Sequence, residues 1–287
     1  MNVLLLRFIT EKARVLEAVG IKAGKAEVEL ILCYLLNCDR LQLFLNGYSA
    51  LTDDLLERFD AILERRATRY PLQYILGESW FYGRRFSVNP AVMVPTPETE
   101  LLCEAAIGYA RRQKYIRPRI LDIGVGSGVI SVTLANELPN CSVVALDLSP
   151  DAIAVARQNA LMLGGSDRIE FRHSDFFAAV HADERFDLIL SNPPYISDEE
   201  YKHLPPEVMA DPKLALTSGE EGLNAVKQIL KEAPLFLAGH GRLMFEIGYN
   251  QAERVAQLTE QDSRFKSIVI LKDLNDIDRV VMLSCDE

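Results

Sequence analysis

The chain has 287 residues, near the length at which a single hydrophobic core stops growing, so two unequal domains are expected; 49% hydrophobic and 25% charged residues are ordinary for a soluble globular protein. Its 31 Lys and Arg against 41 Asp and Glu leave a net charge of −10, which argues against a protein that grips bare nucleic acid through a basic surface. No apolar run approaches the roughly 20 residues of a membrane span, and five scattered cysteines without CxxC spacing exclude a disulfide framework or a zinc site.

Residues 1–70 show helical spacing, and their ten basic and ten acidic side chains cancel. The opening Val3-Leu4-Leu5-Leu6-Arg7-Phe8-Ile9 is broken by Arg7 and lacks a basic leader, so it reads as a helix rather than a signal peptide. Leu4, Leu5, Phe8 and Ile9 fit one apolar face, as do Val28, Leu30, Ile31, Leu35 and Leu36. Thr52-Asp53-Asp54 predicts another helix start, and Arg65-Arg66 an exposed helix face. Pro71 breaks the pattern. Trp80, Phe81, Tyr82, Phe86 and Val88 around Gly83 predict a hairpin, with Arg84-Arg85 as solvated charges, and residues 71–93 form a hinge between two domains.

From residue 94 to 287 short apolar runs alternate with helical stretches. Strands are expected at 120–123, 143–146, 169–171, 186–190 and 243–247, with helices at 128–138, 150–163, 220–237 and 250–260 between them. Two closing strands, 267–272 and 279–284, predict an antiparallel hairpin at one sheet edge. Such alternation means α/β architecture, a mostly parallel sheet covered on both faces.

Asp122-Ile123-Gly124-Val125-Gly126-Ser127-Gly128 follows the first of these strands and opens a helix. Glycines there allow a tight turn and close approach of a ligand to the main chain. The dinucleotide fingerprint would need a glycine at Val129, and the phosphate loop a Lys-Ser or Lys-Thr that is absent. Asp122 would repel a pyrophosphate but suits a cationic amino group, such as the methionine part of S-adenosylmethionine. Asp147 ends the next strand and can accept both ribose hydroxyls. Asp175 can take an adenine amino group and Phe176 can stack on the ring. The alternative is a plain strand-to-helix turn with Asp147 and Asp175 solvated and Phe176 in the core.

Ser191-Asn192-Pro193-Pro194-Tyr195 follows the fourth strand at its C-terminal end, where ligands bind in such sheets. Two prolines stiffen the loop and remove two N–H donors. Two acceptors remain, the Asn192 side-chain oxygen and the Pro193 carbonyl. They can hold both N–H bonds of a planar amide or aromatic amino group and draw its nitrogen towards tetrahedral geometry. The lone pair then faces the sulfonium methyl, and positioning of this kind can lower a barrier by up to about 7–11 kcal/mol. Tyr195 offers a flat face to the planar group. A simple loop breaker is the competing reading of this segment.

With these segments the sequence resembles the release-factor glutamine methyltransferases, the PrmC/HemK family, along nearly its whole length. Pro71-Leu72-Gln73-Tyr74-Ile75-Leu76-Gly77, Phe81-Tyr82-Gly83, Val94-Pro95-Thr96-Pro97-Glu98-Thr99-Glu100, Gly219-Glu220-Glu221-Gly222-Leu223 and Glu246-Ile247-Gly248-Tyr249 follow in family order. Asn-Pro-Pro-Tyr by itself is shared with enzymes that methylate exocyclic amino groups of DNA and RNA bases. The resemblance implies a helical domain over 1–70 that docks substrate, a hinge hairpin and a seven-stranded Rossmann-like class I methyltransferase domain. It implies S-adenosylmethionine as cofactor and, as substrate, the glutamine of the Gly-Gly-Gln motif of class I release factors; the scattered cysteines and histidines point to a reducing cytoplasm and no metal, and a monomer is the default expectation. Asp122, Gly124, Val125, Gly126, Ser127, Gly128, Asp147, Asp175, Phe176 and Asn192 would hold the cofactor, and Asn192, Pro193, Pro194 and Tyr195 the glutamine. The chain departs from the family at Thr96, where Arg is usual, at Val125, where Thr or Cys is common, and at Asp276, where Gly is usual.

Overall fold

The computed structural model describes residues 3–46 and 51–286, so residues 1, 2 and 47–50 of the expected helical domain lie outside the described residues. The chain divides into two compact units, Met1–Gly77 with Pro205–Ala210, and Glu78–Leu204 with Asp211–Glu287.

In the first unit α1 (Val3–Ala18), α2 (Gly24–Leu36), α3 (Arg40–Asn46), α4 (Asp53–Ala67) and the single turn α5 (Leu72–Leu76) enclose one core. Leu5, Ile9, Ala13 and Leu16 of α1 meet Val28, Ile31 and Leu32 of α2 and Leu55, Phe59 and Leu63 of α4. This spacing of three and four residues keeps one helix face inward. The faces are narrower than the sequence reading drew them. Leu4 and Leu30 are about half exposed, because each sits one helical step, about 100°, from the centre of the buried stripe. Thr52 caps α4, its hydroxyl oxygen accepting the Leu55 N–H at 3.4 Å, with Asp53 and Asp54 in the first turn.

Arg66 is not on an exposed face, contrary to the sequence reading. It is 5% exposed and makes a two-point pair with Glu27, at 2.6 and 3.1 Å. Glu207, from the short segment that this unit takes from late in the chain, accepts from Arg66 at 3.2 Å and from Arg69 at 2.7 and 2.9 Å. Both acids are remote in sequence, so no local pattern marks the pairing.

In the second unit β1 (Glu78–Phe81) and β2 (Arg84–Ser87) form the expected hairpin, turning through Tyr82 and Gly83, both at positive φ. Phe81 and Phe86 are buried edge to face, 6.1 Å apart, in this unit's core. The segment 71–93 is therefore divided: α5 packs with the helices, and the hairpin with the sheet. Arg84 is not merely solvated, since it pairs with Glu137 at 2.8 Å.

The sheet contains β3 (Arg119–Ile123), β4 (Ser142–Asp147), β5 (Ile169–His173), β6 (Phe186–Ser191), β7 (Leu237–Glu246), β8 (Ser267–Lys272) and β9 (Asp278–Ser284). Their order is β5-β4-β3-β6-β7-β9-β8, parallel except for β9, which runs antiparallel to both neighbours. Residues alternate between the faces. Ile120, Val143, Leu188 and Met244 pack under α6 (Glu98–Arg112), α7 (Val129–Glu137) and α8 (Pro150–Leu163). Leu121, Val144, Ile189 and Phe245 pack under the helices Asn224–Glu232 and Ala252–Glu260. β7 begins six residues before its expected start, because a register shift opposite Phe186 and Leu188 accommodates Ala238-Gly239-His240-Gly241, which hid the strand's alternation. The helix expected over 220–237 is shorter, since Pro234 turns its end into a 3₁₀ turn.

The Arg66 pairing yields a stability prediction. Glu27→Ala leaves a nearly buried guanidinium with a single Glu207 contact and the Tyr70 carbonyl. Chemical denaturation should show a loss of about 3 kcal/mol; a loss under about 1 kcal/mol would mean that water replaces the carboxylate.

Candidate active site

The C-terminal ends of β3, β4 and β6 open on one cavity, within the second unit. After β3 the chain turns through Gly124, Gly126 and Gly128, all at positive φ. The N–H groups of Gly124 and Val125 both donate to the Leu146 carbonyl at 2.8 Å, tying the turn to the end of β4. A Cβ on Gly124 would meet nothing within 4 Å, so its backbone is open to a ligand, whereas one on Gly128 would press on Ala156 of α8 at 3.1 Å. Glycine serves approach at the first position and packing at the last. Asn159 of α8 holds the arrangement from below. Its amide nitrogen donates to the Ser127 and Ser87 carbonyls at 2.8 and 2.9 Å, and its oxygen accepts the Ser87 N–H at 2.8 Å.

Asp147, at the end of β4, accepts the Gly126 N–H at 2.9 Å and the Ser149 N–H at 2.8 Å. Each carboxylate oxygen keeps a further lone pair. Beyond β5, Phe176 stands at φ 44, a region costly for a bulky side chain, with its carbonyl accepting from the Ser174 hydroxyl at 2.7 Å. Asp175 is exposed beside it, and His173 is merely hydrogen-bonded to the Leu148 carbonyl, at 2.9 Å.

Gly124, Val125, Gly126, Ser127, Asp147, Asp175, Phe176, Asn192, Pro193 and Pro194 line the cavity together. Three expected residues do not. Gly128 is packed behind the turn. Asp122 is fully buried beneath it, one oxygen accepting the Ser131 hydroxyl and N–H and the other without a partner among the described residues. Burial pushes its carboxyl up to about 7, although Ser131 acts in the opposite sense and the charge of Asp147 in the same one. Tyr195 turns its hydroxyl to Glu246, at 3.2 Å, instead of laying its ring along the cavity.

The loop after β6 is fastened from both sides. The Ile196 N–H donates to the Leu216 carbonyl at 2.9 Å, and Gln251 donates its amide N–H to the carbonyls of Tyr195 and Gly222 at 2.9 and 3.1 Å. Asn192 donates from Nδ2 to the Thr99 hydroxyl oxygen at 2.9 Å, and Thr99 donates in turn to Glu246 at 2.7 Å. Sequence reasoning assigned no role to Thr99, Glu246, Gln251 or Asn159. A signal existed for one of them, because Glu246 interrupts the apolar run Leu243-Met244-Phe245 in a central strand. Glu98 and Glu100 lie in the first turn of α6, as expected of acids at a helix start; Glu100 also accepts the Tyr82 N–H at 2.6 Å.

Residues 9–77 match the family model described as the PrmC N-terminal domain, and residues 109–221 the one described as the methyltransferase small domain. The chain is 39% identical over 268 residues to the release factor glutamine methyltransferase of Koribacter versatilis, covering 93% of each chain. It is 43% identical over 267 residues to that of Cereibacter sphaeroides, again covering 93% of each. The chain belongs to the release factor glutamine methyltransferases. Two solved structures share the fold alone. A methyltransferase from Pyrococcus furiosus has a TM-score of 0.51 and 18% identity, covering 72% of this chain and 91% of that one. A ribosomal protein L11 methylase from Lactobacillus delbrueckii has a TM-score of 0.50 and 20% identity, covering 70% and 84%.

Membership in this methyltransferase family implies S-adenosylmethionine, and the residues present fit it. The open glycine backbone and the strand-end carboxylate of Asp147 form an acidic, hydrogen-bonding cradle on the cavity wall. Among the described residues no group of three or more His, Cys, Asp or Glu is placed to hold a metal ion, and no helix is long and apolar enough to cross a membrane.

The raised Asp122 carboxyl has a consequence for the ligand-free protein. A folded-state value near 7 lies above the ordinary one, so the folded chain holds this proton more tightly than the unfolded chain does. Its contribution to stability is complete below about pH 4, declines as pH rises to about 7 and is constant above. Asp122→Asn removes the decline, so in urea titrations the variant should gain on the parent across this window by up to about 1.4 kcal/mol per pH unit. A pH-independent difference would mean that the carboxylate stays ionised in its buried place.

Proposed function

We propose that this methyltransferase transfers a methyl group from S-adenosylmethionine to the side-chain amide nitrogen, N5, of the glutamine in the Gly-Gly-Gln motif of class I peptide chain release factors. The observation that carries the reading is that Asn192, Pro193 and Pro194 line the same cavity as the glycine turn and Asp147. In this reading Gly124–Ser127, Asp147, Asp175 and Phe176 hold the cofactor, with Gly128 and Asp122 shaping the turn from behind. The cofactor supplies an electrophilic methyl carbon on a sulfonium sulfur.

An amide nitrogen is a poor nucleophile because its lone pair is delocalised. The Asn192 side-chain oxygen and the Pro193 carbonyl accept its two N–H bonds and hold the nitrogen where its lone pair faces the methyl carbon. Held by Gly124–Ser127 and Asp147, the cofactor would supply the methyl carbon for the new N–C bond, its sulfur taking back the S–C pair. Only then is the nitrogen acidic, and its proton leaves to solvent. The prolines favour this because a loop without their N–H groups presents acceptors rather than donors. Tyr195 supports the loop through Glu246 rather than by stacking.

Relatives named for release factors, matched over both units, support this substrate over a nucleic-acid base, as does the acidic balance of the chain. The helical unit, whose residues 1–70 carry no net charge, is the docking element in this reading. Its α2 and α3 leave Leu30, Tyr34, Leu41 and Leu45 exposed in two pairs four residues apart. Leu41→Arg with Leu45→Arg should raise KM for the release factor at least tenfold and leave cofactor affinity unchanged; an unaltered KM would remove α3 from the docking surface.

The direct test is transfer of labelled methyl from S-adenosylmethionine to purified class I release factor, beside its Gly-Gly-Gln to Gly-Gly-Ala variant and duplex DNA. Label on the unmodified factor alone is expected. Label on DNA alone, or on the Gly-Gly-Ala factor, would overturn the reading. Asn192→Ala should lower kcat by a hundredfold or more, the range seen when a single oriented polar group is removed from a reacting centre.

A further inference from the structure

An asparagine amide is useful here in one orientation only. Turned by 180° it would present N–H donors to a target whose own N–H groups need acceptors. The two orientations have almost the same shape, so packing alone does not choose between them. Something must fix the polarity of the Asn192 side chain.

The structure contains such a device. Thr99 is 2% exposed and Glu246 fully buried. The Thr99 hydroxyl has one proton, and it is committed to Glu246 at 2.7 Å. Its oxygen can then only accept from Asn192, and the Asn192 Nδ2 lies 2.9 Å away. Thr96 is too distant to compete, at 3.5 Å between hydroxyl oxygens. Glu246 in turn receives the Tyr195 hydroxyl on its other oxygen, so one carboxylate serves both ends of the Asn-Pro-Pro-Tyr segment. An acceptor-only carboxylate thus sets the direction of a three-member chain and leaves Oδ1 as the end of the Asn192 amide that Thr99 does not engage.

We propose that Thr99 and Glu246 are positioning residues that lock the Asn192 amide with its oxygen available to the target nitrogen. The proposal rests on the functional reading above and adds two residues to it. It also explains why a charged side chain stands in the apolar strand β7 at a site where burial penalises it.

The lock depends on ionisation. A protonated Glu246 can donate to Thr99, which frees the Thr99 proton to point at Asn192 and permits the wrong orientation. Burial raises the Glu246 carboxyl to about 7, opposed by the Thr99 hydrogen bond, the Arg279 guanidinium of β9 and the Tyr195 hydroxyl, and assisted by Glu98 of α6. Cys103 of α6 also faces it, as a thiol that burial keeps protonated. The rate should therefore fall with acidity below about pH 7.

Three variants and one spectroscopic measurement test this. Thr99→Val should lower kcat at least thirtyfold with cofactor affinity by calorimetry kept within about threefold, and Thr99→Ser should recover most of the loss. Glu246→Gln, whose amide can donate to Thr99, should be as slow as Thr99→Val, at least as stable to heat as the parent, and without the acid limb near pH 7. Independently of turnover, the Asn192 side-chain NH₂ of ligand-free ¹⁵N-labelled protein, assigned by its loss in Asn192→Asp, should exchange slowly with solvent at pH 8. It should exchange at least tenfold faster in Thr99→Val. A protected NH₂ in a protein that methylates no release factor would uphold the lock and refute the substrate. Rapid exchange in the parent, or a Thr99→Val enzyme as fast as the parent, would overturn the lock.

Discussion

A parallel sheet buried on both faces can keep polar chemistry only where its strands end, and the second unit is arranged around that constraint. Within β3, β4, β6 and β7 the alternating residues face two apolar cores, one beneath α6, α7 and α8 and one beneath the helices after β6. The backbone leaves the sheet at Ile123, Asp147 and Ser191, and there its N–H and C=O groups need other partners. The glycine turn, Asp147 and the Asn-Pro-Pro segment are what the chain places at those exits. Their convergence on one cavity follows from the adjacency of β4, β3 and β6.

Three of the buried polar groups, Asp122, Asn159 and Glu246, lie directly behind the exits. Asp122 and Glu246 project to the same side of the sheet, since each lies two residues beyond an apolar residue of that face, Ile120 and Met244. Each is held by a hydroxyl from a helix start: Ser131 near the beginning of α7, and Thr99 near the beginning of α6. Asn159 plays the neutral counterpart, satisfying backbone groups of both the hairpin and the glycine turn. A buried polar group is tolerated when its partners are supplied, and here Asn159 fixes the glycine turn and Glu246, with Thr99, the Asn-Pro-Pro-Tyr loop.

The helical unit uses the same principle with full charges. Arg66 is buried with Glu27 and Glu207, and Glu207 belongs to a segment that lies between Tyr195 and the strand β7 in sequence. Ten residues after the reaction loop, the chain thus leaves the second unit at Leu204 and returns at Asp211. A segment so short cannot build a core, and the charged pairs are what assign it to the helices.

Much of this was legible from the sequence because its signals are local. Alternating apolar runs, the glycine turn after β3, Pro150 at the start of α8, and Asn-Pro-Pro-Tyr after β6 depend on residues within a few positions of one another, as does the tight turn of the hairpin. The ordered set of such segments carried the resemblance that the relatives then showed. What lay beyond reach depended on contacts between distant residues. Arg66 read as exposed because Glu27 and Glu207 lie 39 and 141 residues away. Tyr195 read as a stacking face because Glu246, 51 residues on, could not be seen to take its hydroxyl. Asp122 read as a direct ligand contact because nothing local shows that Ser131 and the turn bury it. The sequence by itself determined which strands and turns form and which residue types stand at the strand ends, since backbone preference and periodicity are short-range. Only the tertiary structure decided which of those residues reach the cavity and which support it, because burial and hydrogen-bond direction are properties of the packed chain.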